Sequence, residues 1–397
     1  MTGPASNVHA QRQAQLAAAL AAAGLRGAVV FSRGGSTLDR YGDVLYLTGF
    51  YQSYSYLPDM AGLFSGRAHA ALVIAADGAS VLCVAVKEFE PGTVTAGGIR
   101  CSEVFTGTVA AAMTELGLGS GMVGLIGADV LPYSQNRLLG NKLTGLVWQE
   151  CDEILQAIRR IKSPTEQDAI RRAAAVHVAA LSALHDAIAP GVTEADLVAT
   201  FSEVAVRGGA GVYFTALSSG PNIAHWCGRP SPGFSTRRLV SGDMVRFDMG
   251  IVLDGYLSDF GRTAVVGPPR ADQQRLIDTL HSGIDAMIGA VAAGRTVRDA
   301  VAMGDAALKD LSVAARPAGV GIIHSSFPAH WGHGLGMGWE RPILCDTEDM
   351  TLAAGMYLAI ERTLTLPGTG TAAAEQTLLV TETGIEILSG KPGGKWA

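Results

Sequence analysis

The sequence predicts an α+β protein of two domains, and three observations carry that prediction. A chain of 397 residues exceeds one ordinary core and suits two domains of about 100 to 200 residues each. Helix and strand signals intermix up to about residue 153, whereas beyond it runs of helix and runs of strand are segregated. Close to that change stands Ser163-Pro164-Thr165-Glu166, with Ser163 suited to cap a helix, Pro164 to its first position and Glu166 to a capping box. We therefore expect a compact α/β domain over 1–153 and an α+β domain over 154–397.

Residues 8 to 24 read as an Ala- and Leu-rich helix ending near Gly24, and GAVVF follows as a short buried strand. DVLYLTGF, HAALVIAA and SVLCVAV are read as further strands, with Asp77-Gly78 turning between the last two. DEILQAIRRIKSPTEQDAIRRAAAVHVAALSALHDAI gives two helical runs around Ser163-Pro164, and TEADLVATFSEVAVRGG a third. The chain then turns strand-rich, becomes helical around 271 to 311, and is strand-rich again to its end.

Composition excludes several function classes. A hydrophobic share of 48% against 17% charged residues describes a chain with ample core, not a disordered one. The net charge is −6 and no Lys or Arg run occurs, so neither nucleic acid nor an anionic membrane surface is an expected partner. The N-terminus MTGPASNVHAQRQ lacks a secretory pattern, and no apolar stretch approaches the roughly 18 residues needed to span a bilayer. A cytoplasmic protein is expected. Cys83, Cys101, Cys151, Cys227 and Cys345 are odd in number and show no CxxC spacing, so buried thiols are expected rather than disulfides or a zinc knuckle.

The chemistry concentrates in four acids and a histidine. GDMVRFDMGIVLDGYLSDFGRTAVVG alternates as two strands about an Asp254-Gly255 hairpin turn. With Leu253 opposite Tyr256, Asp248 faces Gly261 and Asp259 faces Gly250. Asp248 and Asp259 then share one face as diagonal neighbours, about 7 to 8 Å apart along the backbone. The glycine opposite each acid leaves room for something between them. A second hairpin, MYLAIERTLTL and TAAAEQTLLVTET about Gly368, sets Glu361 directly across from Glu375 among apolar neighbours.

Facing carboxylates repel, by about 4 kcal/mol at 4 Å and an effective dielectric near 20. Either a raised pKa on one partner or a cation must offset this. Four negative charges match two divalent ions, with a bridging hydroxide as nucleophile. His333 lies in HWGHGLGMGWERP, where glycines at 332, 334, 336 and 338 let backbone pass close to the imidazole. Carboxylates with one imidazole suit Mn, Fe, Co or Zn. The glycine spacing is not GxGxxG, so a phosphate loop is not expected.

The order Asp, Asp, His, Glu, Glu in GDMVRFDMG, DGYLSDFGRT, GHGLGMG, AIER and AEQTLLVTETG, together with the IRRIKSPTEQDAIRRAA junction, resembles the pita-bread superfamily of creatinase, aminopeptidase P, prolidase and methionine aminopeptidase (peptidase family M24). The first domain resembles the creatinase-type N-terminal domain, which methionine aminopeptidases lack. The resemblance implies a C-terminal pita-bread domain whose metal ligands are Asp248, Asp259, His333, Glu361 and Glu375. It implies that Asp259 and Glu375 bridge two divalent ions, and that Glu361 also moves a proton from the bridging water to the leaving nitrogen. His225, in NIAHWCGRPS, matches a histidine lining the substrate pocket, and His330 lies one residue from where a second one occurs.

Three departures bear on substrate. Similar peptidases commonly carry a His before Glu-x-Pro, where this chain has Trp339-Glu340-Arg341-Pro342; they carry an Arg two residues before the last Glu, where this chain has Ala373. The link from Glu361 to Glu375 is also short. The expected activity is metal-dependent hydrolysis of a small amide or dipeptide, as by Xaa-Pro aminopeptidases and dipeptidases, in a homodimer. The alternatives are a relative similar to ectoine hydrolases or dimethylsulfoniopropionate lyases on the same metal site, and a non-catalytic binding module. Tyr51, Tyr54 and Tyr56, in GFYQSYSYLPD, are candidates either for domain packing or for closing a partner's pocket.

Overall fold

The run GAVVF becomes the middle of a sheet. In the computed structural model, which describes residues 5–33, 42–52, 67–90, 92–314, 323–324 and 330–390, the chain divides into two compact units, Met1–Arg159 and Arg160–Ala397.

In the first unit α1 (Ala5–Ala22) leads through Gly24, at φ 74°, into β1 (Gly27–Arg33). There follow α2 (Gly42–Thr48), β2 (His69–Ala75), β3 (Ser80–Val84), β4 (Gly98–Cys101), α3 (Phe105–Glu115), β5 (Gly121–Ile126), α4 (Tyr133–Lys142), β6 (Leu146–Glu150) and α5 (Asp152–Arg160). Among the described residues six strands form a sheet in the order β4-β3-β2-β1-β5-β6. β1 runs antiparallel to β2 and parallel to β5, and its Val29 and Phe31 pack with Val73, Val109 and Val123.

DVLYLTGF is not a strand. Its first six residues are helical within α2, where Val44, Leu47 and Thr48 share a buried side at helical spacing. The Thr48 hydroxyl donates to the Val44 carbonyl at 2.6 Å, and Gly49 ends the helix at φ 75°. HAALVIAA and SVLCVAV do pair, as β2 and β3, across a turn in which Asp77 accepts from the Ala79 amide at 3.0 Å. All five cysteines are free, but only Cys83 and Cys151 are buried; Cys101 is exposed on the edge strand β4, so the expectation of buried thiols holds in part. Of the tyrosine stretch, Tyr51 is exposed, whereas Tyr54 and Tyr56 lie outside the described residues.

The second unit begins with α6 (Pro164–Asp186), capped as the sequence predicts by Ser163 and Glu166, and α7 (Glu194–Arg207). β7 (Gly211–Ser219), β8 (Met244–Leu253) and β9 (Tyr256–Val265) form one sheet. After α8 (Ala271–Ala290) and α9 (Val297–Ala314) come β10 (Ile323–His324), β11 (Gly332–Leu335), β12 (Trp339–Ile343), β13 (Tyr357–Leu366), β14 (Gly370–Thr381) and β15 (Gly384–Ile387). Among the described residues these pair in the order β12-β11-β13-β14-β15, with β10 beside β13.

Each helix pair covers the apolar face of one hairpin. Phe247, Met249 and Phe260 pack with Leu181, Leu184 and Phe201, while Leu358, Ile360 and Leu378 pack with Ile284, Met287 and Trp331. Side chains alternate along a strand, so covering these faces turns the polar residues between them toward the interior where the hairpins meet.

The seam is held by side chains of β9. Thr263 donates to the Ala373 carbonyl at 2.9 Å and accepts from the Ala373 amide at 2.7 Å. Arg262, 1% exposed, donates to the Glu375 carbonyl, to Gln376 Oε1 at 3.0 Å and to the Ser389 carbonyl at 3.2 Å. Arg262→Met keeps the stem and leaves buried acceptors without donors. It should destabilise the second unit by about 2 to 4 kcal/mol, read as a lower urea midpoint; an unchanged midpoint would show that Arg262 does not hold the seam.

Candidate metal centre

Two turns set the register of the four acids. Asp254 and Gly255 take φ 52° and 83°, the left-handed pair that a two-residue hairpin needs, and β8 and β9 pair with Asp248 opposite Gly261 and Gly250 opposite Asp259. Around Gly368, at φ 82°, β13 and β14 pair with Glu361 opposite Glu375. Both registers are those the sequence predicts.

His333 arrives on β11, opposite Ala359 of β13. Gly332 precedes it at φ 112°, and a Cβ there would lie 2.1 Å from the Ala359 carbonyl oxygen, so the approach of β11 to β13 requires glycine. His333 Nδ1 lies 3.1 Å from the Gly334 carbonyl. A carbonyl only accepts, so Nδ1 carries the proton and Nε2 presents its lone pair, 4.0 Å from Asp259 Oδ2.

The five side chains form two overlapping groups. Asp259, His333 and Glu375 offer ligand atoms within 4.8 Å of one another, as do Asp248, Glu361 and Glu375. Burial raises the pKa of all four acids, and neighbouring acids add to this at Asp248, Asp259 and Glu375. Asp248 is pushed up to about 6. His333 is pushed down to about 4 by burial, which keeps its imidazole neutral and able to ligate. Asp248 Oδ1 and Asp259 Oδ1 are buried without a hydrogen-bond partner. Unpartnered buried carboxylate oxygens beside a neutral imidazole suit a hard or borderline divalent cation, so the residues present fit a metal.

The other oxygens of these two acids are held by tryptophans that sequence reasoning did not assign. Trp226 Nε1 donates to Asp248 Oδ2 at 3.1 Å, and Trp339 Nε1 donates to Asp259 Oδ2 at 2.7 Å. Trp339 stands beside Glu340, whose buried ion pair with Lys162 at 3.0 Å fixes β12. The sign was present in the sequence, since Trp339 occupies the place of an expected histidine.

A cavity of about 550 Å³ opens over the acids, walled by Phe214, Trp226 and Trp339 on one side and by Arg246, His330 and Thr363 elsewhere. The space opposite Asp259 is not left for an ion. A Cβ on Gly250 would meet the Phe214 ring at 2.5 Å, so this glycine makes room for an aromatic wall. Gly261 admits backbone, with the Phe247 carbonyl 2.8 Å from its notional Cβ. His330 lines the cavity with Nδ1 3.9 Å from Glu361 Oε1. His225 is exposed, between Ala224 and Trp226, which do line the cavity.

The chain is similar to known proteins over both units. The family description "Metallopeptidase family M24" matches residues 168–382, and "Creatinase/Prolidase N-terminal domain" matches residues 12–161. A probable dipeptidase PepE of Mycobacterium tuberculosis is 30% identical over 393 residues, covering 98% of this chain and 96% of the relative. The crystal structure of dipeptidase PepE from Mycobacterium ulcerans is 28% identical with a TM-score of 0.76, covering 98% of this chain and 97% of that one. An Xaa-Pro dipeptidase structure from Bacillus anthracis, at 22% identity, covers 97% and 99% with a TM-score of 0.79 and shares the fold.

The raised carboxyl pKa values make metal-free stability depend on pH with a definite sign. Each folded pKa lies above its unfolded value, so the stability these groups contribute is fully present only below about pH 4. It is lost as pH rises through the folded values, about 6 for Asp248. A bound cation removes the repulsion and competes with protons. The gap in Tm between metal-loaded and chelated protein should therefore widen from pH 5 to pH 8 in calorimetry. A gap independent of pH would contradict this origin.

Proposed function

This chain belongs to metallopeptidase family M24, with a creatinase/prolidase N-terminal domain ahead of the catalytic one, and from that premise we propose that it is a binuclear metal-dependent dipeptidase of the Xaa-Pro type. One observation supports this above others: two ligand groups, Asp259-His333-Glu375 and Asp248-Glu361-Glu375, meet at Glu375. Asp248, Asp259, His333, Glu361 and Glu375 would hold two divalent ions (Mn, Co, Fe or Zn), with Glu375, which belongs to both groups, and Asp259 assigned as the ligands the two would share. When bound, such ions lower the pKa of water and polarise a carbonyl.

The chain's own residues supply the rest. Asp259 and Glu375 are buried, at 2% and 3% exposure, whereas Asp248 and Glu361 are only partly buried. Of these two Glu361, whose side chain is 28% exposed, is assigned to take a proton from the attacking water and pass it to the leaving amide nitrogen. His330, which lines the cavity beside Glu361 while its Nδ1 accepts from the Gly332 amide at 3.2 Å, is assigned to the substrate. His225 is assigned to the substrate side of the mouth, next to Trp226. The aromatic wall excludes water from one side and offers π faces to the substrate's apolar portion. The proposal includes a cytoplasmic homodimer, for which light scattering should give twice the chain mass of 41.1 kDa.

A second reading draws on the aromatic wall itself. The Phe214 ring centroid lies 5.9 Å from that of Trp226 and 6.1 Å from that of Trp339, and such a cluster beside acids also suits a small cationic osmolyte. Mass spectrometry of products separates the chemistries, since hydrolysis adds water and a lyase does not.

With Mn or Co, the protein should release amino acid from Xaa-Pro dipeptides. Glu361→Gln at saturating metal should lower kcat by about 10² to 10⁴ while KM changes little. Absence of dipeptide hydrolysis with every metal would sink the peptidase assignment, and wild-type kcat in the variant would sink the role given to Glu361.

A further inference from the structure

Arg246 is a buried cation that, among the described residues, makes no side-chain hydrogen bond or ion pair, although Asp248, Glu361 and Glu375 act on it electrostatically. It lies on β8 two residues before Asp248, so both face the cavity, which Arg246 lines. The residue is 8% exposed, and its Nε is buried without a hydrogen-bond partner. Among the described residues its guanidinium closes no ion pair either. A cation kept only to balance the acids would close on one of them, as Lys162 does on Glu340 at 3.0 Å. Charged groups this buried are otherwise paired.

The sheet register shows what lies beside it. Arg246 pairs with Thr263, Thr263 is bonded both ways to Ala373, and Ala373 pairs with Thr363. Two residues along, β8 and β9 pair Asp248 with Gly261, and β13 and β14 pair Glu361 with Glu375. Arg246 and Thr363 both line the cavity.

The order of the two rows suits a dipeptide: a scissile carbonyl held over the acids sets the terminal carboxylate one residue on, toward the side of the cavity that Arg246 lines. A longer peptide would set a neutral amide at that place, and a guanidinium without its anion would remain.

We propose that Arg246, assisted by the Thr363 hydroxyl, binds the C-terminal carboxylate of the substrate and so restricts the enzyme to dipeptides. This rests on the peptidase reading of the metal centre, and the test separates the two.

Metal-loaded wild type, Arg246→Met and Arg246→Lys are compared on Ala-Pro and on its C-terminal amide. Wild type should favour the acid by at least about tenfold in kcat/KM, chiefly through KM. Arg246→Met should bring that ratio close to one, with Arg246→Lys between. A wild-type ratio near one, a ratio that survives in both variants, or loss of bound metal from both would overturn the proposal. If neither compound is hydrolysed, calorimetric binding of the same pair decides. Tighter binding of the acid that disappears in Arg246→Met supports the carboxylate site while the peptidase reading fails, and equal binding overturns it.

Discussion

Four carboxylates that would repel in solution are held together by the register of two hairpins. A one-residue slip in either would turn its acids onto the face covered by helices, and the turns at Asp254-Gly255 and Gly368 prevent it. The centre also requires the two hairpins to stay joined, because each supplies half of the charge. Arg262 does this from the side away from the cavity, giving hydrogen bonds from β9 to the Glu375 and Gln376 region of β14. The apolar faces beneath bury Phe247, Phe260, Leu358 and Leu378, and burial of such side chains is worth roughly 1.5 to 3 kcal/mol each. That stabilisation sustains an arrangement the free protein opposes.

The surroundings of the acids refine what the hairpins begin. Indole N–H groups of Trp226 and Trp339 each bond one oxygen of an aspartate, and the other oxygen of each aspartate is buried without a hydrogen-bond partner. Burial disfavours the charged forms of all four acids, and a cation restores them. The same walls that hold the aspartates give the cavity an aromatic side and a basic side. A substrate with an apolar portion and a carboxylate matches that polarity better than a uniformly charged one.

Much of the second unit was legible because its signals are local. The Ser163 capping box, both hairpin turns and the two pairings of acids follow from residues within a few positions of each other, and the structure contains them. The helix over Gly42–Thr48 was misread because DVLYLTGF is too short for period alone to separate helix from strand. The roles of Gly250 and Trp226 were hidden for another reason. The Phe214 ring fills the space beside Gly250 from a third strand, and Trp226 reaches Asp248 from a loop. No local pattern encodes either contact. Arg246 was visible in principle, since strand alternation sets it on the face of Asp248, but that its buried Nε goes unbonded appears only once its described neighbours are in place.

The central claim is that the converging acids are a site for two cations. Elemental analysis of the dialysed protein after Mn or Co loading tests it most directly, with Glu375→Ala as the variant because Glu375 belongs to both ligand groups. Two equivalents of metal per chain, with both lost from Glu375→Ala, is the result expected. No stoichiometric metal in the wild-type protein, or an unchanged two equivalents in the variant, would contradict it.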